Sequence, residues 1–173
     1  WTSYIVKLNW LTGQRTRRDG FLYKVSPDGR FAVGANMLTM RRTQGGYGVV
    51  VPDEHVPQNI GLRDDDGLFM TDLETGASKL LISLREVVER TADPDALSEY
   101  SGMEVYGFHS KWNSQGDRLI FTVRRFQHDG TNQFDALSSG SVLFDVYTLR
   151  PDGSELYNAV PAEQWEKGGH HIN

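Results

Sequence analysis

One pattern restricts what this chain can fold into more than any other: a strand, a tight glycine turn and a returning strand, written three times. Its fullest copy is Asp66-Gly67-Leu68-Phe69-Met70-Thr71-Asp72-Leu73-Glu74-Thr75-Gly76-Ala77-Ser78-Lys79-Leu80-Leu81-Ile82. Leu68 and Met70 alternate with Phe69, Thr71 and Leu73, so both faces of the first strand carry apolar groups, as in a strand covered on both sides. Glu74-Thr75-Gly76 supplies the turn, with Gly76 able to take a positive φ. Residues 3–9 followed by Trp10-Leu11-Thr12-Gly13 form a second copy, with a short, charged return strand over residues 14–18. Residues 142–149, Arg150-Pro151-Asp152-Gly153 and residues 155–158 form a third. The turn glycines Gly13, Gly76 and Gly153 stand 63 and 77 residues apart.

A second hairpin type alternates with the first. Residues 20–25 lead into Ser26-Pro27-Asp28-Gly29-Arg30, where proline fixes φ and Asp28 can bond its own backbone, and residues 31–37 return. Residues 105–112, the turn Asn113-Ser114-Gln115-Gly116-Asp117 and residues 118–124 repeat it, with Arg30 matched to Arg118 after one inserted residue. Two alternating hairpins make a unit of four strands. Once the long loops and a helix are subtracted, its length is roughly the 40 to 50 residues of a β-propeller blade. A β-sandwich also uses short strands but does not predict such matched hairpins. The expected fold class is all-β: a β-propeller fragment of four-stranded antiparallel blades, about two complete ones with partial blades flanking them. Residues 1–19 are the outer strands of one blade. Residues 20–102 form the second blade with a helix insertion, residues 103–160 the third, and residues 161–173 the start of a fourth. The chain thus reads as an excerpt of a longer protein.

Between these hairpins lie less regular stretches. Ser83-Leu84-Arg85-Glu86 is a capping box, which predicts one short helix over residues 83–90 in an inter-blade connection, ended by Ala92-Asp93-Pro94. The connection over residues 41–66 is long for a structureless loop, and such loops are often functional or mobile. There are 18 glycines against 6 prolines and no cysteine, so turns are plentiful while disulfides and thiolate metal sites are excluded. A formal net charge of -5 argues against a nucleic-acid partner. No apolar run approaches the roughly 18 residues of a membrane span. The compartment stays open; a bacterial periplasm or cytoplasm both suit the composition.

Ser26-Pro27-Asp28-Gly29-Arg30 before Phe31-Ala32-Val33, with Asp72-Leu73-Glu74-Thr75-Gly76 and Arg150-Pro151-Asp152-Gly153-Ser154, resembles the TolB-like propeller repeats over nearly the whole chain. The helix after the central cassette and the histidines on inner strands look more narrowly like the oligogalacturonate lyase type of propeller. In a propeller the first strand of each blade lines the channel, and here these strands carry His109 and the pair His170-His171. Adjacent imidazoles of this kind suit a borderline-soft divalent metal, although histidines there also serve as hydrogen-bonded packing groups.

The lyase resemblance implies β-elimination on a uronate oligosaccharide. A divalent cation, with manganese one candidate, would bind the substrate carboxylate and acidify the neighbouring proton. By position, His109, His170 and His171 would be metal ligands, with His109 also the catalytic base; Arg124 and Arg125 would bind the anionic sugar or else form surface salt bridges. The partners implied are an acidic oligosaccharide or a protein ligand, together with the missing blades. The alternative function is a non-catalytic propeller that binds protein or ligand at its channel face. The remaining candidates read as solvated surface: Arg15, Arg17, Arg18, Arg41 and Arg42, His55 and His128, and the run Asp64-Asp65-Asp66. That run lacks the ligand spacing of a calcium loop. Arg41-Arg42 with Gly45-Gly46 is too irregular for a phosphate loop.

Overall fold

The computed structural model describes residues 1–128, 130 and 142–167. It is all-β apart from two short helices and a few 3-10 turns, and every sheet is antiparallel. Strands β1 (Tyr4–Leu8) and β2 (Arg15–Asp19) form a two-stranded sheet. Strands β3 (Lys24–Val25), β4 (Phe31–Gly34), β5 (Gly67–Asp72) and β6 (Ser78–Ser83) follow as a four-stranded sheet in chain order. Strands β7 (Met103–Trp112), β8 (Leu119–Gln127), β9 (Leu143–Leu149) and β10 (Tyr157–Val160) form a second four-stranded sheet with the same order. Among the described residues no helix is long and apolar enough to cross a membrane.

The repeated turns share hydrogen bonds as well as sequence. In the β5–β6 turn, Asp72 Oδ1 accepts from the amides of Glu74 and Thr75 at 2.9 and 3.0 Å. In the β1–β2 turn, Asn9 Oδ1 accepts from Leu11 and Thr12 at 3.0 and 3.3 Å. Gly76 and Gly13, at φ +86° and +74°, then donate to the carbonyls of Asp72 and Asn9, both at 2.8 Å. A side chain at either glycine would strain this left-handed backbone. The β3–β4 and β7–β8 turns also match, closing through Ser26 N–H to Phe31 O at 2.8 Å and Asn113 N–H to Arg118 O at 3.0 Å. Arg118 therefore corresponds to Phe31, and the inserted residue expected between the two hairpins does not exist. The resemblance of Arg30 to Arg118 is accidental, because the turn geometry sets the register.

Two further expectations change in detail. Residues 20–22 do not pair, and ladder bonding with β4 begins only at Tyr23, whose amide donates to Val33 O at 2.8 Å. Helix α1 (Leu84–Glu89) is capped as expected by Ser83, which accepts from Glu86 N–H at 3.0 Å. The Glu86 carboxylate takes Arg90 Nη1 at 2.8 Å, one helical turn ahead. After β10 comes α2 (Ala162–Trp165).

The three sheets stack face to face in chain order. Ala32 and Leu73 of the middle sheet pack on Ile5 of the first, and Thr71 Oγ1 donates to Asp19 O at 3.1 Å across the same gap. The opposite face of the middle sheet, with Val33, Leu68 and Met70, joins the main core with Val105, Phe121, Val123, Tyr147 and Leu149 of the last sheet and with α1. The central cassette is therefore covered on both faces, as its two-sided apolar pattern requires.

Candidate functional site

Strand β7 is irregular at one place. Gly107 pairs with Val123 and Ser110 with Phe121, so Phe108 and His109 together oppose the single residue Thr122. Such a bulge re-aims the side chains it carries. His109 comes to lie among rings: Phe108 at 4.1 Å between centroids, Tyr23 at 4.9 Å from the entry to β3, and Tyr47 at 5.5 Å from the loop before β5. All three of Tyr23, Tyr47 and His109 are half-buried, so the edge of the cluster reaches solvent while His109 Nε2 itself is buried.

Arg124 backs this cluster. Its guanidinium lies 3.3 Å from the Phe108 ring centroid and 4.5 Å from that of Phe144, and Nη1 donates to Gln44 Oε1 at 3.0 Å. At 5 % exposure it is a fixed cation behind the rings rather than an arm at the surface. The Tyr23 phenol is held above its ordinary pKa chiefly by burial, with Tyr47 adding to the effect and Arg124 partly offsetting it. The site therefore combines an imidazole, two phenols and a buried positive charge.

Arg125, its neighbour, points to the opposite face, since successive strand residues alternate. It is ion-paired with Asp145 and donates to the Tyr100 hydroxyl at 3.1 Å. The two arginines grouped by sequence do not share a site. His170 and His171 lie outside the described residues. Among the described residues no group of three or more histidine, aspartate or glutamate side chains is arranged to hold a metal. The shell described around His109 is aromatic and cationic and does not by itself fit a divalent cation.

A second cluster is not among the sites expected from the sequence. The first strand-like part of β7 is edged by residues 59–61, through Val105 N–H to Asn59 O at 3.0 Å and Gly61 N–H to Met103 O at 2.7 Å. Beneath this seam lies a buried network. Arg42 grips Glu104 with Nε and Nη2, both at 2.8 Å, and Nε also donates to the Tyr106 hydroxyl at 2.8 Å. Tyr106 in turn donates to Glu104 and accepts the Asn59 amide at 3.1 Å. Gln58 Nε2 donates to Glu104 at 2.8 Å, and His128 Nδ1 lies 2.9 Å from the same carboxylate. A carboxylate only accepts, so Nδ1 carries the proton. Burial is the largest single influence on Glu104 and raises its pKa, but the bonds from Arg42, Tyr106, Gln58 and His128 together carry it below the ordinary value.

Expectations of solvated surface fail at three of these places. Arg42 is 2 % exposed, His128 is tied to a buried carboxylate, and Asp66 is buried against Asn59 Nδ2 at 2.5 Å and Gly67 N–H at 2.8 Å. Burial holds Asp66 above its ordinary pKa. Arg15, Arg17, His55, Asp64 and Asp65 are exposed as expected. The available signal was Glu104 with Tyr106, two polar residues spaced i, i+2 in the otherwise apolar stretch 103–108 of β7. Such a pair demands buried partners. Comparison with protein-family models, with curated proteins and with solved structures gives no match for this chain.

Proposed function

We propose that the chain is part of a TolB-like β-propeller that acts on acidic oligosaccharides in the manner of oligogalacturonate lyases. Residues 1–19, 20–102, 103–160 and 161–173 are then parts of successive blades. Support for the propeller comes from two four-stranded sheets of identical strand order, the shared turn hydrogen bonds and the face-to-face stacking. The observation that carries the activity is the convergence of Tyr23, Tyr47, His109 and Arg124 where the first strands of consecutive sheets meet.

In this reading His109 takes the proton from the carbon beside the uronate carboxylate. Negative charge then grows on that carbon and carboxylate, and the fixed Arg124 cation stabilises it from behind the Phe108 ring. The site needs little reorganisation because Arg124 is already packed and hydrogen-bonded. The divalent-metal part of the proposal rests on His170 and His171, which lie outside the described residues. A metal bound there would polarise the substrate carboxylate.

The test uses the full-length protein with oligogalacturonate, following absorbance in the unsaturated-uronate band. Wild type should show a gain in absorbance that His109→Ala abolishes while the fold is kept. No gain in wild type, at any added divalent cation, sinks the proposal. Metal analysis of the same protein checks the histidine ligand set separately.

A further inference from the structure

β-Elimination from a glycoside moves two protons, one off carbon and one onto the departing oxygen. A single imidazole can accept the first but cannot at that instant donate the second. The cluster holds a better candidate for the donor. Tyr23 lies beside His109 in a tilted ring contact, 4.9 Å between centroids, and it is half-buried. Tyr47 is farther from the imidazole, at 5.5 Å, and leans on Phe108 at 4.9 Å.

We propose, on the basis of the acidic-sugar reading above, that Tyr23 is the general acid of this site and protonates the glycosidic oxygen while His109 removes the C5 proton. The C5–H electron pair becomes the C4=C5 double bond, the C4–O pair leaves with oxygen, and that oxygen takes the phenolic proton. The imidazolium then returns its proton to the neighbouring phenolate, so the site is restored without any further reactant. The Tyr23 phenol carries its proton at neutral pH, as a general acid must, and burial shifts it further from ionisation.

The experiment compares two substrates in the full-length protein. One is digalacturonate, whose leaving group is an alkoxide that needs a proton. The other is a methyl galacturonide bearing 4-nitrophenoxide at C4, which leaves without help. Tyr23→Phe should lower kcat on digalacturonate by about 10²- to 10⁴-fold, the usual worth of general acid catalysis, and change kcat on the aryl substrate by less than about tenfold. Retained activity on the aryl substrate also shows that the variant is folded. Equal losses on both substrates, or no loss on either, overturn the role of Tyr23. The same leaving-group-selective loss in Tyr47→Phe, with Tyr23→Phe unaffected, assigns the acid to Tyr47 and overturns it too. Wild type inactive on both substrates removes instead the acidic-sugar reading, and this inference with it.

Discussion

Arg42 and Glu104, 62 residues apart in sequence, meet in a two-pronged contact at 2.8 Å with side-chain exposures of 3 % and 2 %. This pair fastens the long loop before β5 onto the first strand of the last sheet. Because the same loop carries Gln44 and Tyr47, the pair also sets two of the residues around Arg124 and His109.

Glu104→Gln should therefore be costly. It deprives a buried guanidinium of its counter-charge, which typically destabilises by about 3–5 kcal/mol. The pH dependence has a definite sign. The folded pKa of Glu104 is depressed, so its contribution is fully present above the unfolded glutamate value of about 4.3 and is lost as pH falls through the folded value. Denaturant titrations between pH 2 and 7 should show the variant's stability falling less steeply than wild type below about pH 4.3. Parallel curves for the two proteins would exclude this role.

Tyr106→Phe removes one hydroxyl that serves three groups. It leaves the buried Asn59 amide without its acceptor and takes a donor from Glu104. Leaving a buried donor unsatisfied costs about 1–3 kcal/mol. Amide exchange at Asn59 should accelerate well beyond the global effect. Unchanged protection there would mean that water replaces the hydroxyl.

What could be read from sequence was local. The Asp72 and Gly76 turn, the Ser83 cap and the two-faced burial of β5 depend on residues within a few positions of each other, and each is found as expected. The Arg42–Glu104 contact depends on where a loop crosses a strand, which no short-range pattern encodes. Arg41-Arg42 and Asp64-Asp65-Asp66 look like solvated charge runs, yet one member of each is buried. The bulge at Phe108 and His109 was hidden for a different reason: β7 is buried on both faces and mixes polar with apolar residues, so a slip of one residue leaves no clear break in its alternation.

Gly107 sits where β7 is closely packed. A Cβ there would lie 2.9 Å from Ala35 Cβ and from Phe121 Cε2 and Cζ. Gly107→Ala should cost about 1–3 kcal/mol through overpacking, seen as a lowered Tm. Adding Phe121→Leu should restore part of the loss, because the ring is the movable neighbour. If the double variant is simply the sum of its parts, the conflict lies elsewhere.

Arg124 separates packing from electrostatics. Lysine keeps the charge but loses the planar stack between Phe108 and Phe144 and the fixed bond to Gln44. Arg124→Lys should thus lower stability by about 1–2 kcal/mol, the worth of a desolvated cation–π contact. Arg124→Met keeps most of the packing volume and deletes the charge. Under the proposed activity, a side chain so deeply buried would act on the reacting centre through its field rather than through direct contact. On an active full-length protein, Arg124→Met should therefore lower kcat by about 10²-fold, as for loss of one preorganised stabilising group, while KM shifts little. A large rise in KM with kcat unchanged would place Arg124 in ground-state binding of the sugar carboxylate instead, and would require the Phe108 and Phe144 rings to part when substrate enters.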